Sequence, residues 1–245
     1  LALATLLVWL AVEPVGLAAG KGHSLPKRYQ KAPYSLMSLS VGHPNAGWQA
    51  RASKLKPRRG LKIKKGSGKH NYGHPSLVKM LYRSSRDIAR SASGSVMVVG
   101  DLSAKGGGRL AGHQSHQSGR DADIAFYAKD KKGKPVVLDR FVAFDAKGKA
   151  KDGSGLQFDD WRNWLLVQSW LGDRRAGLSH IFVSRGLRSR LLRFAQSRKS
   201  FRKHVPRAQE LLKQPEDSSA HDDHFHVRVA CPGRQADICH ERPKR

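Results

Sequence analysis

Apolar and polar positions alternate most cleanly in two short stretches of this chain. In residues 121–127, Asp121, Asp123, Ala125 and Tyr127 share one face of a strand while Ala122, Ile124 and Phe126 share the other. In residues 224–229, His224, His226 and Arg228 alternate with Phe225, Val227 and Val229, so a strand presents both histidines on its polar face. Leu77, Met80, Leu81 and Ile88 recur at helical spacing after Pro75. The run "SVMVVGD" has the β-branched content of a buried strand and feeds a loop at Gly106, Gly107 and Gly108. Asp159 or Asp160 caps a helix carrying Trp161, Trp164, Leu165 and Leu171; "HIFVS" reads as a strand, and 187–195 as a helix with a basic outer face. These tryptophans read as core. No internal repeat is visible. Strands mixed with segregated helices predict an α+β class, a central antiparallel sheet flanked by helices.

The two alternating stretches also carry the chemistry. His116 precedes Asp123 with six residues between them, enough to turn at Ser118 and Gly119 and bring imidazole and carboxylate together. His226 supplies a third donor. His116, Asp123 and His226 would leave a tetrahedral zinc one open position for water, the arrangement of a catalytic rather than a structural site. His224 lies on the same face as His226, about 6–7 Å away along the strand, and is placed to handle protons. A frame pairing His113 with Asp121 is the alternative ligand set.

H-x6-D followed far downstream by H-x-H resembles the metallopeptidase fold of lysostaphin-type enzymes, D-alanyl-D-alanine peptidases and the hedgehog signalling domain. The stretches "YGHPSLVKML", "SVMVVGDLSAKGGGRLAGHQSHQSGRDADI" and "HFHVRVACP" are more closely similar to penicillin-insensitive murein endopeptidases, over roughly residues 72–239. The resemblance implies zinc on His116, Asp123 and His226, with His224 and His221 as catalytic or supporting histidines and His113 near the site. Two features depart from the pattern. Arg120 stands where an aliphatic residue is usual, a change that would alter substrate contacts, and the family's larger set of cysteines is reduced to Cys231 and Cys239.

A chain of 245 residues with 39% hydrophobic composition and five tryptophans has enough apolar content for a packed core. Residues 1–20 are apolar apart from Glu13 and end in small residues, as a cleaved signal peptide does; a retained anchor is the alternative, and Glu13 and Pro14 oppose it. Residues 21–70 read as a basic, flexible arm and 71–245 as the catalytic domain. With export, Cys231 and Cys239 are expected to form a disulfide. The net charge of +27 raises a further class of partner. The run "RASKLKPRRGLKIKKGSGK" suits anionic envelope polymers or wall-peptide carboxylates; nucleic acid is disfavoured because no base-reading motif accompanies it.

Serine chemistry finds little support. Ser53–Lys56, Ser76–Lys79 and Ser200–Lys203 match S-x-x-K, but S-D-N, K-T-G and G-x-S-x-G are absent. The expectation is therefore a periplasmic or otherwise exported zinc peptidase. It would hydrolyse D-alanyl cross-links between peptidoglycan stem peptides through a metal-activated water, without a serine for β-lactams to acylate. A D-Ala-D-Ala carboxypeptidase of the same fold and a non-catalytic, zinc-stabilised envelope-binding module are the alternatives. No stable membrane span is expected in the mature form, and the sequence is silent on oligomeric state.

Overall fold

Pro75 opens helix α1 (Pro75–Ser91) at a position where its missing N–H costs nothing, and the His74 side chain caps the turn by accepting from Ser76 N. Leu77, Met80, Leu81 and Ile88 point to one side and are buried. The computed structural model describes residues 25–215 and 220–242. The expected leader, 1–20, lies outside them.

A hairpin of β1 (Leu39–His43) and β2 (Ala46–Ala50) precedes six strands that form one sheet: β3 (Leu61–Ile63), β4 (Met97–Val99), β5 (Asp121–Ala125), β6 (Leu178–Phe182), β7 (Leu212–Lys213) and β8 (His224–Val229). Their order is β7-β6-β8-β5-β4-β3. The four inner strands run antiparallel, and a parallel neighbour closes each edge. Three more helices follow the first: α2 (Asp160–Gly172), α3 (Arg185–Gln196) and α4 (Val205–Leu211). Asp159 caps α2 through its side chain, accepting from Arg162 N. The class is α+β, with an antiparallel centre, as the patterning predicts.

The apolar faces of β5 and β8 join one core with Leu77 and Met80 of α1 and Trp164 and Trp170 of α2. Phe225 stands edge-on to both Phe126, at 4.7 Å between ring centroids, and Trp170, at 5.5 Å. This packing fixes β8 against β5 with His226 opposite Asp123 and Arg228 opposite Asp121. A one-residue slip would turn the histidines into the core, so burial of Phe225 and Val227 sets the register that the site needs. Among the described residues no helix is long and apolar enough to cross a membrane.

The structure differs from the sequence reading in the basic segment. Its described part carries β1, β2 and β3, and Leu55 and Leu61 are 0% exposed within the main core. Single apolar residues between cations are too sparse to show a period, yet each packs inward while its charged neighbours face water. Tyr29, Leu39, Ala50 and Ile238 form a second, smaller core. The Cys231–Cys239 disulfide lies beside it, and Gly42 of β1 pairs with Cys239, so the hairpin is held against the C-terminal segment.

Candidate metal centre

Asp123 is delivered by β5 to the polar face of the sheet, where it is 1% exposed. Four imidazoles close around it. His116 Nε2 lies 3.3 Å and His224 Nε2 3.4 Å from its Oδ1, His226 Nδ1 lies 3.6 Å from the same oxygen, and His113 Nδ1 lies 3.6 Å from Oδ2. The donor atoms of His113, His116 and Asp123 all lie within 4.8 Å of one another.

Each ring is oriented from behind. His116 takes a left-handed backbone conformation, φ 68°, which is costly for a residue with a Cβ. Ser103 Oγ holds that turn by donating to His116 O, and His116 Nδ1 donates to Leu102 O at 2.6 Å. Its Nε2 therefore faces Asp123. His226 Nε2 donates to Asp121 Oδ1 at 2.7 Å, leaving Nδ1 toward Asp123. His113 Nε2 faces Asp101 Oδ2 at 3.3 Å, and His224 Nδ1 donates to Asp223 Oδ1 at 2.6 Å while the ring stacks on Phe141 at 4.5 Å. Backing acceptors of this kind accompany histidines that ligate metals.

The electrostatics call for positive charge at the centre. Burial alone would raise the Asp123 carboxyl, but the neighbouring His116 and His224 hold it well below the usual range. Burial opposes a charge on His224, yet Asp123 and Asp223 together push it up to about 10. His226, governed first by burial, is held down to about 4 and is neutral at physiological pH. His116 Nε2 and Asp123 Oδ1 are both buried without a hydrogen-bond partner. Two facing electron-pair donors in that condition fit a cation between them.

The cluster opens into a cavity of 480 Å³, lined also by Phe182, His221 and Arg228. The His221 ring centroid is 5.3 Å from that of His224 and 5.5 Å from that of His226, so it joins the group. Arg120 does not. It is 0% exposed, donates to Val229 O, His240 O and Glu241 Oε2, and does not line the cavity. Alternation puts residue 120 on the face opposite Asp121, which points it at the C-terminal segment rather than at a substrate. The alternative pairing of His113 with Asp121 is likewise not formed, since Asp121 Oδ1 is taken by His226 and by Arg228 Nε at 2.6 Å. Sequence reasoning missed Asp101, Asp121 and Asp223 as backing groups, Phe141 stacked on His224, and Arg228 in the cavity wall. Of these, Asp223, beside His224 in "HDDHFH", and Asp121 and Arg228, on the polar faces of their strands, carried a local signal.

A histidine-ringed carboxylate on the polar face of an α+β sheet, open to a cavity, defines a candidate metal centre. The chain belongs to the penicillin-insensitive murein endopeptidase family, whose profile matches residues 40–245. The penicillin-insensitive murein endopeptidase of Haemophilus influenzae is 28% identical over 204 residues, which cover 78% of this chain and 63% of that relative. The protein of the same name from Escherichia coli O6:K15:H31 is 28% identical over 173 residues, covering 70% of this chain and 58% of the relative. The chain thus spans less than two thirds of the length of these curated relatives.

Proposed function

We propose that the protein is an exported, zinc-dependent murein endopeptidase that hydrolyses D-alanyl cross-link amide bonds between peptidoglycan stem peptides. The observation that carries this reading is the buried, unpartnered pair His116 Nε2 and Asp123 Oδ1 at the floor of an open cavity, in a chain of this family. His116, Asp123 and His226 would hold the ion, with Leu102 O and Asp121 fixing which nitrogen each ring offers. Bound zinc supplies Lewis acidity, polarising a scissile carbonyl and lowering the pKa of a water toward roughly 7.

The rest is done by the chain's own side chains. His224, clamped between Phe141 and Asp223, keeps Nε2 aimed at the centre and is the group that holds and moves a proton as the amine departs. His113, backed by Asp101, supports Asp123 from the other side. His221 lies beside both strand histidines at the cavity wall. A substrate in the cell envelope carries export with it, and the Cys231–Cys239 disulfide fits an oxidising compartment.

Cross-linked dimeric muropeptides incubated with the protein, then analysed by mass spectrometry, test the reading. Dimers should become monomers, chelation should stop the reaction, and zinc should restore it. Dimers left intact by zinc-loaded protein, or cleavage indifferent to chelation, would overturn it. Loss of terminal D-alanine alone would replace it with a carboxypeptidase.

A further inference from the structure

Between Glu13 and Asp87 the chain contains no acidic residue, while lysines and arginines recur throughout. The fold gathers part of this charge into one strip. On α1, Lys79, Tyr82, Arg86 and Arg90 fall on one face by helical spacing, and the three cations are exposed. The segment before β3 lies along that face. Lys56 N donates to Tyr82 Oη at 2.7 Å, and the Arg58 guanidinium stacks 3.6 Å from the centroid of the Tyr82 ring. Lys54 Nζ is 5.5 Å from the centroid of Tyr72. Lys54, Lys56 and Arg58 are all exposed. Among the described residues, only Arg86 of the six cations approaches a carboxylate, Asp87, at 3.9 Å. Asp87 itself is turned toward Ser169 of α2.

From Lys79 to Arg90 the helix alone spans about 16 Å at 1.5 Å per residue. A strip of that length matches a polymer whose negative charges recur along it. It also adjoins the site. Tyr72 N donates to Ser103 O at 3.2 Å, and Ser103 Oγ holds His116 O.

We infer that Lys54, Lys56, Arg58, Lys79, Arg86 and Arg90 form a docking face for the carboxylate-bearing wall polymer, separate from the groups that perform hydrolysis. The choice of polymer rests on the proposed function. Intact stem peptides repeat free carboxylates along the polymer, so many weak contacts add along the strip where any one would contribute little.

The test is co-sedimentation of the full chain with purified, insoluble murein sacculi at low and at raised salt. The combined variant Lys56→Glu, Arg58→Glu, Arg86→Glu should bind sacculi at least about tenfold more weakly. Its kcat/KM on soluble dimeric muropeptides should be unchanged, which also shows that it is folded. A second variant, Lys54→Glu, Lys79→Glu, Arg90→Glu, should behave alike without touching the Arg58–Tyr82 stack. Raised salt should release the parent, and sacculi whose carboxylates have been amidated should fail to hold it. Equal binding by parent and both variants, equal binding to amidated sacculi, or a loss confined to duplex DNA or anionic vesicles would overturn the docking face. A parent that binds sacculi through the strip yet leaves soluble dimers intact would sink the proposed reaction and leave this inference standing.

Discussion

Replacing Asp121 by Asn probes how the sheet prepares His226. Asp121 is 0% exposed, and its Oδ1 accepts from His226 Nε2 at 2.7 Å and from Arg228 Nε at 2.6 Å. Burial opposes its charge, but Arg228 and His226 outweigh that and keep it ionised far below the ordinary carboxylate range. Asp121→Asn keeps the shape and removes the charge, so the His226 ring becomes less basic at Nδ1. Loss of such a backing group costs about 10–100-fold in metal affinity, or about 1.4–2.8 kcal/mol. Arg228, whose side chain is 13% exposed, also loses its counter-charge. Removing one partner of a buried pair costs about 3–5 kcal/mol; the asparagine carbonyl still accepts a hydrogen bond, which favours the lower end. For a chain of this size about 3 kcal/mol lowers Tm by roughly 6–12 °C. Chelator-competition titration would read the zinc affinity, and thermal unfolding of the metal-free protein the stability. A variant that loses stability but keeps parental zinc affinity refutes the link from Asp121 through His226 to the metal.

His74 caps α1 as a neutral ring; burial first, then the Arg120 charge, hold its pKa down to about 4 from an ordinary 6.5. The unfolded chain therefore takes up this proton first, and stability present above pH 6.5 is lost as pH falls through 4, by about 3 kcal/mol. Urea unfolding at pH 7 and pH 4.5 should show most of that fall added to the one from His226, also held at about 4, and His74→Asn, which keeps a capping oxygen, should remove the His74 share. Phe225→Ala empties the aromatic cluster between Phe126 and Trp170 and should cost about 3–5 kcal/mol in the same assay. Reducing Cys231–Cys239 opens a short loop and should cost about 2–3 kcal/mol. Amide exchange should then rise around Gly42 and Ile238, whose N–H···O bond of 2.7 Å ties the hairpin to that loop, before it rises at His226.

The strands that carry the centre were legible because alternation over a few residues reports which side chains share a face. It did so for Asp123, for His226 and for the buried Phe225. The pairing of those strands was not legible, since the register of His226 on Asp123 arises from long-range packing that no local pattern records. The backing carboxylates were hidden for the same reason. Asp101 and Asp121 become partners of His113 and His226 only once the sheet is assembled. Arg120 misled because a charge beside a site reads as a substrate contact, whereas its strand position sends it to Glu241 and the His240 carbonyl. The basic segment read as irregular because Leu55 and Leu61 are lone apolar residues among cations, and α4 passed unnoticed because it is only seven residues long.

The central claim is that His116, Asp123 and His226 hold zinc while His224 handles protons. Zinc content and turnover of dimeric muropeptides, measured on the same preparations of single alanine variants, test it most directly. His116→Ala, Asp123→Ala and His226→Ala should lose both metal and activity. His224→Ala should keep its zinc and fall by about 10²–10⁴-fold in rate. His113→Ala should stay loaded. A metal-free His224→Ala would contradict the division of labour, and a loaded His226→Ala beside an empty His113→Ala would move the third ligand to His113, whose Nδ1 lies 3.6 Å from Asp123 Oδ2.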